Sequence, residues 1–570
     1  MKALLLTCLC TCLFHIGFAQ DLGNEYIENW KKFYPSKALN QGMHQAIFDY
    51  ENYSLDNIND WIDYNKKILE ALEDYQTSKP IDARLLRVQA QTEIDRWGQT
   101  QVHQNSLSLY ARAIANAIPP ILEATYLTPS EQTQLTCKRL RRVILLVFQA
   151  EQNLTSYAQI DLKSGLRSIK RALTFYKEDL AQHMQKWPQN SYCPDLDILL
   201  QQATKALTGL QTKAEKEWLP KALETSSLLG RDEYARQLAL YTDSDLSPED
   251  LAAIALQEIK TTKGLMLEVA QDYLQETYAG QALPNTDNEI IQLALADMEK
   301  DAPLNASDYL AFWQGLTAKA IAFIKEKDLA TLPRYETLRI QTAPESAGAA
   351  ARIGWVDSAP PFDPNPVTTL YLPSIPETLP KQEQIDFWAS FNKPFNRMIV
   401  IHELYPGHYM QIKVSRENPH PVRLLFPYGV YIEGWATFTE RVLLDAGWEK
   451  ENPLTLLAHL RKRLENANRA YTSVQVHCQD WTQEKVLDFS TTESLLAPQF
   501  AKSLWGRIMR SPMQLTSYFL GGQQFTKLLA AEEKRLGENF QLKRFMDTIM
   551  QAGPIPIDEF HRIFQEGFPD

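Results

Sequence analysis

The chain has little cysteine for its length. Six cysteines occur among 570 residues, and three of them fall in the apolar stretch at the N-terminus. The remaining three allow at most one internal disulfide and include no closely spaced pair: Cys137, Cys193 and Cys478. This count argues against a small disulfide-framework protein and against a cysteine-ligated metal site. Whether two of the three thiols form a disulfide stays open.

An excess of positive charge is also absent. The 58 Lys and Arg residues are outnumbered by 70 Asp and Glu residues, which gives a net charge of -12. Because proteins bind a phosphate backbone through basic surfaces, we expect no nucleic acid partner. No stretch after the N-terminal segment approaches the roughly 20 apolar residues that a membrane span needs. We therefore expect no stable membrane insertion once the N-terminal segment is removed.

Three common catalytic signatures are missing from the sequence. There is no GxSxG nucleophile elbow, no phosphate-binding GxxxxGK[ST] loop and no GxGxxG after a strand. These absences argue against a serine hydrolase of the elbow type, a P-loop nucleotidase and a dinucleotide-binding enzyme.

The N-terminus has the pattern of a secretory signal. Lys2 precedes a short apolar stretch, and the small residues Gly17 and Ala19 follow it. We predict a signal peptide over residues 1–19, cut after Ala19, and an exported protein that is periplasmic or secreted. A lipid anchor would need a cysteine at the cleavage site, whereas the cysteines of this segment lie inside the apolar run.

The rest of the chain reads as mainly helical. Apolar residues recur at three- and four-residue steps, and the stretches "LTPSEQ" and "LSPEDL" carry helix-start signals. Between 340 and 380 the composition changes: glycine and proline become frequent, and short segments have high β propensity. We therefore expect a small β element near 350–373. We predict two lobes: a helical N-terminal lobe over 20–339, and a metal-site lobe over 340–570 with the small sheet and further helices.

The stretch "HELYPGHYMQ" starts like the helix of a zinc peptidase but spaces its histidines differently. His402 and His408 are six residues apart, so on a straight helix they would differ by about 120° and about 9 Å. Pro406 breaks the helical hydrogen bonding and Gly407 tolerates backbone angles closed to other residues. A bulge at this pair could bring both imidazoles to one metal ion, with Glu403 as the base that takes a proton from bound water.

A second stretch, "YIEGWATFTE", offers a third ligand. Glu433 lies on an apolar helical segment, where an unpaired carboxylate is unusual. Gly434 and Ala436 would let two helices approach closely. Glu440, two turns farther along the same face, could orient a histidine ligand.

These motifs resemble those of a known group of proteins. "HELYPGHYMQ", "EGWATFTE", "SPMQLTSYFLGGQQFTKL" and "FMDTIMQAGPIPIDEF" resemble a large bacterial family of exported or lipid-anchored proteins catalogued as a domain of unknown function. That family in turn looks similar to the gluzincin zinc peptidases of the neurolysin and angiotensin-converting-enzyme type. The similarity is densest from residue 340 onward and also touches "GRDEYARQLALYTDSDLSPEDL".

The resemblance implies a site, residue by residue. It implies a Zn²⁺ ion held by His402, His408 and Glu433, with Glu403 as general base. Tyr518 and His477 fall where the related peptidases place donors to the tetrahedral intermediate. The family pattern has an aspartate a few residues before this histidine, where the present chain has Ser473. The resemblance therefore implies no carboxylate partner for His477 at that position.

Two arginines precede Tyr518 on the same helical pattern. Arg507 and Arg510 could pair with a carboxylate of the substrate, although solvated or structural roles are also open to them. The β-prone "TTLYLP" could supply an edge along which an extended peptide pairs its backbone.

We therefore expect a mainly α, bilobal, zincin-like peptidase with a small β element and one zinc in a cleft between the lobes. Its expected activity is hydrolysis of peptide bonds in short peptides, as a carboxypeptidase, a dipeptidyl carboxypeptidase or an endopeptidase. Two alternatives stay open: a peptide-binding protein that keeps a metal pocket without turnover, and a zinc amidase acting on non-peptide amides.

Overall fold

The structure is a computed structural model that describes residues 22–73, 80–185, 187, 193–222, 228–334, 337–364 and 366–568. The expected signal segment, 1–19, lies outside these residues. The described chain is mainly helical with one small sheet, which confirms the expected mainly α class.

The chain forms two compact units, Met1–Leu228 and Leu229–Asp570. This division lies earlier in the chain than the boundary expected at 339/340. The physical reason is packing: the helices over Pro248–Thr277 and Ala306–Glu326 contact helices that follow residue 390, so they belong to the second unit.

The first unit is built from helices joined by short turns. The capping box expected at Thr128 is present, since its hydroxyl accepts from the Glu131 N–H while the Glu131 side chain bonds back to Thr128. A disulfide joins Cys137 to Cys193. The helices are α1 (22–33), α2 (Pro35–Asn40), α3 (Leu55–Glu73), α4 (Pro80–Ile94), α5 (Val102–Asn105), α6 (Leu107–Ala115), α7 (Pro119–Glu123), α8 (Pro129–Asn153), α9 (Gln159–Lys177), α10 (Asp179–Gln185) and α11 (Leu196–Lys213).

The second unit begins with four helices, continues through the sheet and ends with eleven helices among the described residues. The first four are α12 (Arg231–Thr242), α13 (Pro248–Thr277), α14 (Asp287–Lys300) and α15 (Ala306–Glu326). The rest are α16 (Lys381–Ala389), α17 (Lys393–Glu403), α18 (His408–Glu417), α19 (Pro421–Leu425), α20 (Tyr431–Asp445), α21 (Pro453–Gln479), α22 (Gln483–Thr492), α23 (Pro498–Arg510), α24 (Pro512–Leu536), α25 (Leu542–Ala552) and α26 (Glu559–Glu566).

The sheet has three strands: β1 (Leu338–Thr342), β2 (Trp355–Asp357) and β3 (Thr368–Leu372). Their order is β1-β3-β2, with β1 parallel and β2 antiparallel to β3. The glycine- and proline-rich region was expected to hold the β structure, and β2 and β3 lie there. β1 lies before that region and was not expected.

Close packing of α20 on α24 depends on glycine. A Cβ atom on Gly434 would collide with the backbone of Gly521, and one on Gly521 would collide with the carbonyl oxygen of Val430. The two backbones therefore touch at this point, as the sequence predicted for Gly434, and only glycine fits at either position.

Candidate metal centre

The helix that carries His402 stops immediately after it. α17 ends at Glu403 and α18 begins at His408, so the two histidines lie on different helices. The turn between them contains a cis peptide before Pro406, and the Gly407 N–H donates to the Ile401 carbonyl at 2.9 Å. A Cβ at Gly407 would collide with the carbonyl oxygen of His402. The break expected at the Pro-Gly pair is therefore present, as a full interruption of the helix rather than a bulge.

This turn brings the two imidazoles together beside Glu433. The ring centroids of His402 and His408 are 4.8 Å apart. Glu433 Oε2 lies 3.6 Å from His402 Nε2 and 3.3 Å from His408 Nε2. One ligand atom from each of the three residues lies within 4.8 Å of the other two.

The spacing of these atoms suits a zinc ion. Nitrogen and oxygen ligands at about 2.1 Å from a tetrahedral ion lie about 3.4 Å from one another. The two separations that involve Glu433, 3.6 and 3.3 Å, are close to that value. Two imidazoles and one carboxylate also form a ligand set that leaves a fourth position for water. The residues present therefore fit the metal that the sequence implied.

A buried carboxylate orients His402 from behind. Glu440 Oε1 accepts from His402 Nδ1 at 2.7 Å, so Nε2 is the ring nitrogen that faces Glu433. Glu440 Oε2 accepts from His459 Nδ1 at 2.8 Å. One fully buried carboxylate thus bridges two histidines, and a carboxylate in this position fixes a ligand's tautomer and ring orientation. Glu440 was expected to orient a histidine; the role of His459 was not expected.

The electrostatics of the centre favour a cation. Burial opposes ionisation of both carboxylates, but the imidazoles outweigh it: they hold the pKa of Glu433 well below its usual range and lower that of Glu440 to about 2. Burial likewise opposes protonation of His402, yet hydrogen bonds to Glu433 and Glu440 raise its pKa to about 10. Both acids therefore stay ionised at neutral pH, and a metal ion would displace a proton from His402.

The three candidate ligands line a cavity of about 560 Å³ that lies within the second unit. Glu403 lines the same cavity and is half-buried. One wall is aromatic and the sheet supplies another, including Trp355 of β2 and Tyr371 of β3, whose rings stack with centroids 4.4 Å apart. The arrangement can hold a metal, an adjacent carboxylate base and an extended small molecule in one space.

The structure brings Tyr518 into this cavity. Its hydroxyl accepts from Gln514 Nε2 at 3.1 Å, and the guanidinium of Arg469 lies 5.1 Å from its ring centroid. Burial, followed by the negative charge of Glu433, raises the pKa of Tyr518, so the phenol stays protonated and can donate.

The structure does not bring His477 into the cavity. This histidine is buried elsewhere, with its Nδ1 accepting from the Leu229 N–H at 3.2 Å and its Nε2 facing the Ile508 carbonyl at 3.1 Å. Both ring nitrogens are thus taken by backbone groups. Ser473, at the position of the family's aspartate, bonds to Tyr234 instead of to the histidine. The position of His477 therefore corrects the expectation that it donates to a reaction intermediate.

The two candidate substrate-binding arginines differ in their position relative to the cavity. Arg507 lines the cavity and donates a long hydrogen bond, 3.4 Å, to Gln514 Oε1. Arg510 is exposed, and its guanidinium lies over Gly506, 3.1 Å from where a Cβ there would stand. Arg510 is not among the residues that line the cavity.

Two further cations line the cavity and were missed in the sequence. Lys462 and Arg469 of α21 both bond to Glu465, and Arg469 also donates to Asn466 Oδ1 at 3.0 Å. Together with Arg507 they give the cavity three cationic side chains. Lys462 is the middle residue of the short basic run "RKR" (461–463), a pattern typical of a solvated helix face, yet its side chain is mostly buried. Its helix, α21, packs against α13, α17 and α24, all of them distant in the sequence.

Comparison with known proteins places the chain in a wider group. A family model described as "Bacterial protein of unknown function (DUF885)" matches residues 35–562. A search of curated proteins found no match. Among solved structures, a candidate lipoprotein of unknown function from Shewanella oneidensis is similar, with a TM-score of 0.84 at 19% identity over 96% of this chain and 99% of that one. A candidate lipoprotein from Colwellia psychrerythraea aligns with a TM-score of 0.70 at 18% identity, over 95% of this chain and 98% of that one.

Proposed function

The chain belongs to the DUF885 family of bacterial proteins, whose function is unknown, and we propose that it is a zinc-dependent hydrolase that cleaves peptide bonds in short peptides. The observation that carries this proposal is the convergence of His402, His408 and Glu433 on one point. Glu403 lines the same cavity and supplies the acid-base group that hydrolysis needs. A site that only binds a metal has no need of such a group.

The residues of the chain divide the work of such a reaction. Zinc, when bound, polarises the scissile carbonyl and lowers the pKa of an attacking water. Glu403 takes the proton from that water and later delivers it to the leaving amine. Tyr518, protonated and facing the cavity, donates a hydrogen bond to the oxygen on which negative charge develops.

This distribution of roles is that of the zincin-like peptidases, and we extend the proposal to a relationship with the gluzincin type. Two histidines from the interrupted helix and a glutamate from a later helix form the ligand set of that type. The full break at Pro406 and Gly407 lets a six-residue spacing serve the same purpose as the usual shorter one.

The cavity favours a small substrate with an anionic end. Its volume, about 560 Å³, accommodates a short peptide rather than a folded protein. Lys462, Arg469 and Arg507 line it, and Glu465 offsets only part of their charge. We therefore propose that these side chains bind a carboxylate of the substrate, which would favour release of residues from a C-terminus.

The edge of the sheet offers a way to hold the peptide backbone. β2 pairs only with β3, so its other side is free of strand partners among the described residues, and Trp355 and Val356 of β2 line the cavity. An extended peptide pairing with this edge would pass in front of the metal centre.

Export of the protein is part of the same proposal. Residues 1–19 have the pattern of a signal peptide, and the two similar structures belong to candidate lipoproteins. No helix among the described residues has the length and hydropathy to cross a membrane. We propose that the mature chain acts on peptides outside the cytoplasm.

Two measurements on the mature protein test the activity. Elemental analysis gives the zinc content per chain, and a library of short peptides with free or amidated C-termini reports cleavage by the wild type and by Glu403→Gln. We expect one zinc per chain, cleavage by the wild type with a preference for free C-termini, and loss of cleavage in the variant.

Each other outcome identifies a different function. Zinc without cleavage in either protein favours the peptide-binding alternative. Cleavage of non-peptide amides but not of peptides favours the amidase. If the protein holds no stoichiometric zinc after incubation with the metal, all three functions are contradicted.

A further inference from the structure

A second, smaller cavity lies behind the metal centre. It has a volume of about 70 Å³ and is lined by residues of α13, α20, α21 and α24. His459 separates it from Glu440, whose carboxylate bonds to His402. Three side chains, His459, Glu440 and His402, thus connect it to the expected metal position.

Three polar atoms on its walls have no hydrogen-bond partner among the described residues. They are Thr437 Oγ1, His459 Nε2 and Asn466 Nδ2. His459 and Asn466 are each 2% exposed and Thr437 is 9% exposed. Buried polar groups in folded proteins are nearly always hydrogen-bonded, and three orphans on one cavity point to a polar occupant.

The hydrogen bonding around His459 defines what this occupant must offer. Glu440 accepts from His459 Nδ1, and in the tautomer with its proton on Nδ1 the ring presents a lone pair at Nε2 that needs a donor. The Asn466 amide nitrogen needs an acceptor, and the Thr437 hydroxyl can donate or accept a hydrogen bond. The occupant must therefore both donate and accept, which is the chemistry of water.

The other charged groups on the walls are already paired. Glu258 accepts from Arg463 and from Gln523, and Arg441 bonds to Asp445. These pairs balance the charges on the walls, so the site does not require a bound ion for neutrality. A cavity of about 70 Å³ holds two water molecules at the roughly 30 Å³ that each occupies in the liquid.

We propose that this cavity is a binding site for two ordered water molecules, and that His459, held by one of them, is a positioning residue for the metal centre. Water at Nε2 keeps the Nδ1–H of His459 aimed at Glu440. Glu440 then has donors at both oxygens and holds His402 with Nε2 towards the metal. The positioning role rests on the proposed metal site; the water site does not.

A crystal structure of the mature protein at a resolution that shows ordered water tests the first half. We expect two peaks in the cavity, one of them about 3 Å from His459 Nε2. In a Thr437→Val variant, which keeps the shape and removes the hydroxyl, we expect at least one peak to be lost. A cavity without density in the wild type overturns the water site.

Two substitutions of His459 test the positioning role. Asparagine places an N–H near the position of Nδ1 and can still donate to Glu440, whereas phenylalanine keeps the ring and loses the donor. We expect His459→Phe to weaken zinc binding about 10- to 100-fold and His459→Asn to stay within about threefold of the wild type. Equal zinc affinity in all three proteins, each with native circular dichroism, overturns the role.

A readout without metal separates this proposal from the proposed function. The imidazole ¹⁵N shifts of His459, identified by their absence in His459→Asn, should show a proton on Nδ1. A proton on Nε2 alone overturns the proposal. Ordered water in a wild type that binds no zinc supports the water site and contradicts both the hydrolase and the positioning role.

Discussion

Glu403 and Glu440 lie near the same histidine and are placed for different tasks. Glu403 faces the cavity, whereas Glu440 is fully buried between two imidazoles. Glutamate to glutamine changes remove the charge and keep the shape, so they separate a base from an orienting group.

For Glu403→Gln we expect peptide hydrolysis to fall by about 10²- to 10⁴-fold, because the amide cannot take a proton from water. Zinc content should stay at the wild-type level, since Glu403 is not one of the three grouped ligands. Steady-state kinetics and elemental analysis measure the two quantities. Wild-type turnover in the variant would exclude Glu403 as the base.

For Glu440→Gln we expect zinc affinity to fall by about 10- to 100-fold. The carboxylate accepts an N–H from His402 and another from His459, whereas the amide of glutamine can accept from one ring and its NH₂ group faces the N–H of the other. Competition with a chelator measures the affinity. Glu532→Gln is a matched control: its carboxylate is equally buried and bonds to Arg535, away from the centre. A similar loss in both variants would indicate general destabilisation instead.

The raised pKa of His402 predicts how pH affects the protein without zinc. Protonation of a group with a folded-state pKa of about 10 stabilises the fold fully below its unfolded value, about 6.5. That contribution is lost as the pH rises from about 6.5 to about 10, while Glu440, with a pKa of about 2, stays ionised. Thermal denaturation should therefore show zinc-free protein losing stability over this range.

Zinc should change that dependence, because it replaces the proton on His402. Zinc affinity should rise with pH over the same range, and binding at pH 8 should release a proton. Calorimetry in two buffers of different ionisation enthalpy counts the protons. A pH-independent affinity would contradict His402 as a ligand.

Sequence reasoning reached the residues that belong to local motifs. The spacing of "HELYPGHYMQ" identified His402, His408 and the break between them, and the apolar context of Glu433 marked it as unusual. His459, Lys462 and Arg469 were missed because a lone histidine or a basic run in a helix has no local signature of burial. Their surroundings come from helices distant in sequence.

At the scale of elements, the turn between α17 and α18 decides whether the imidazoles can meet. Gly407 lies against the carbonyls of Ile401 and His402, where a side chain does not fit. For Gly407→Ala we expect loss of stoichiometric zinc and destabilisation by about 1–3 kcal/mol or more, as for other overpacked sites.

Zinc analysis and denaturant unfolding check this expectation. Gly209→Ala is the control, since nothing lies within 4 Å of the position where its Cβ would stand, in the helix α11. Alanine there should be neutral or slightly stabilising. Normal zinc content in Gly407→Ala would mean that the turn can relax without separating the histidines.

The helix starts could be predicted from the sequence, whereas strand β1 could not. Helix starts with Ser or Thr, then Pro and an acid, were found where expected, because capping is a local interaction. β1 is five residues long and only half-buried, so neither its length nor its alternation distinguishes it from a loop. It becomes a strand by pairing with β3, which follows it by a long connection.

At the scale of the whole molecule, the two units carry different stabilising features. The disulfide Cys137–Cys193 lies in the first unit, and every residue grouped at the metal centre lies in the second. Its 56-residue separation corresponds to about 4 kcal/mol in the chain-entropy description of disulfides.

Reduction should therefore lower the stability of the first unit and leave zinc content unchanged. Differential scanning calorimetry with and without reductant, and zinc analysis of the reduced protein, measure the two effects. Cys478→Ser is the control, because that thiol is free and the variant should behave as the wild type. Zinc loss on reduction would mean that the metal centre depends on the first unit.

Three successive residues of α20 each serve a different neighbour. Glu433 faces the two imidazoles, Gly434 touches Gly521, and the indole of Trp435 donates to the carbonyl of Pro406 at 3.0 Å. Inserting or deleting one residue just before them would rotate this helix by about 100° and misalign all three contacts at once. Over evolutionary time, length changes should therefore accumulate in the surface loops of this protein and be purged from the start of α20.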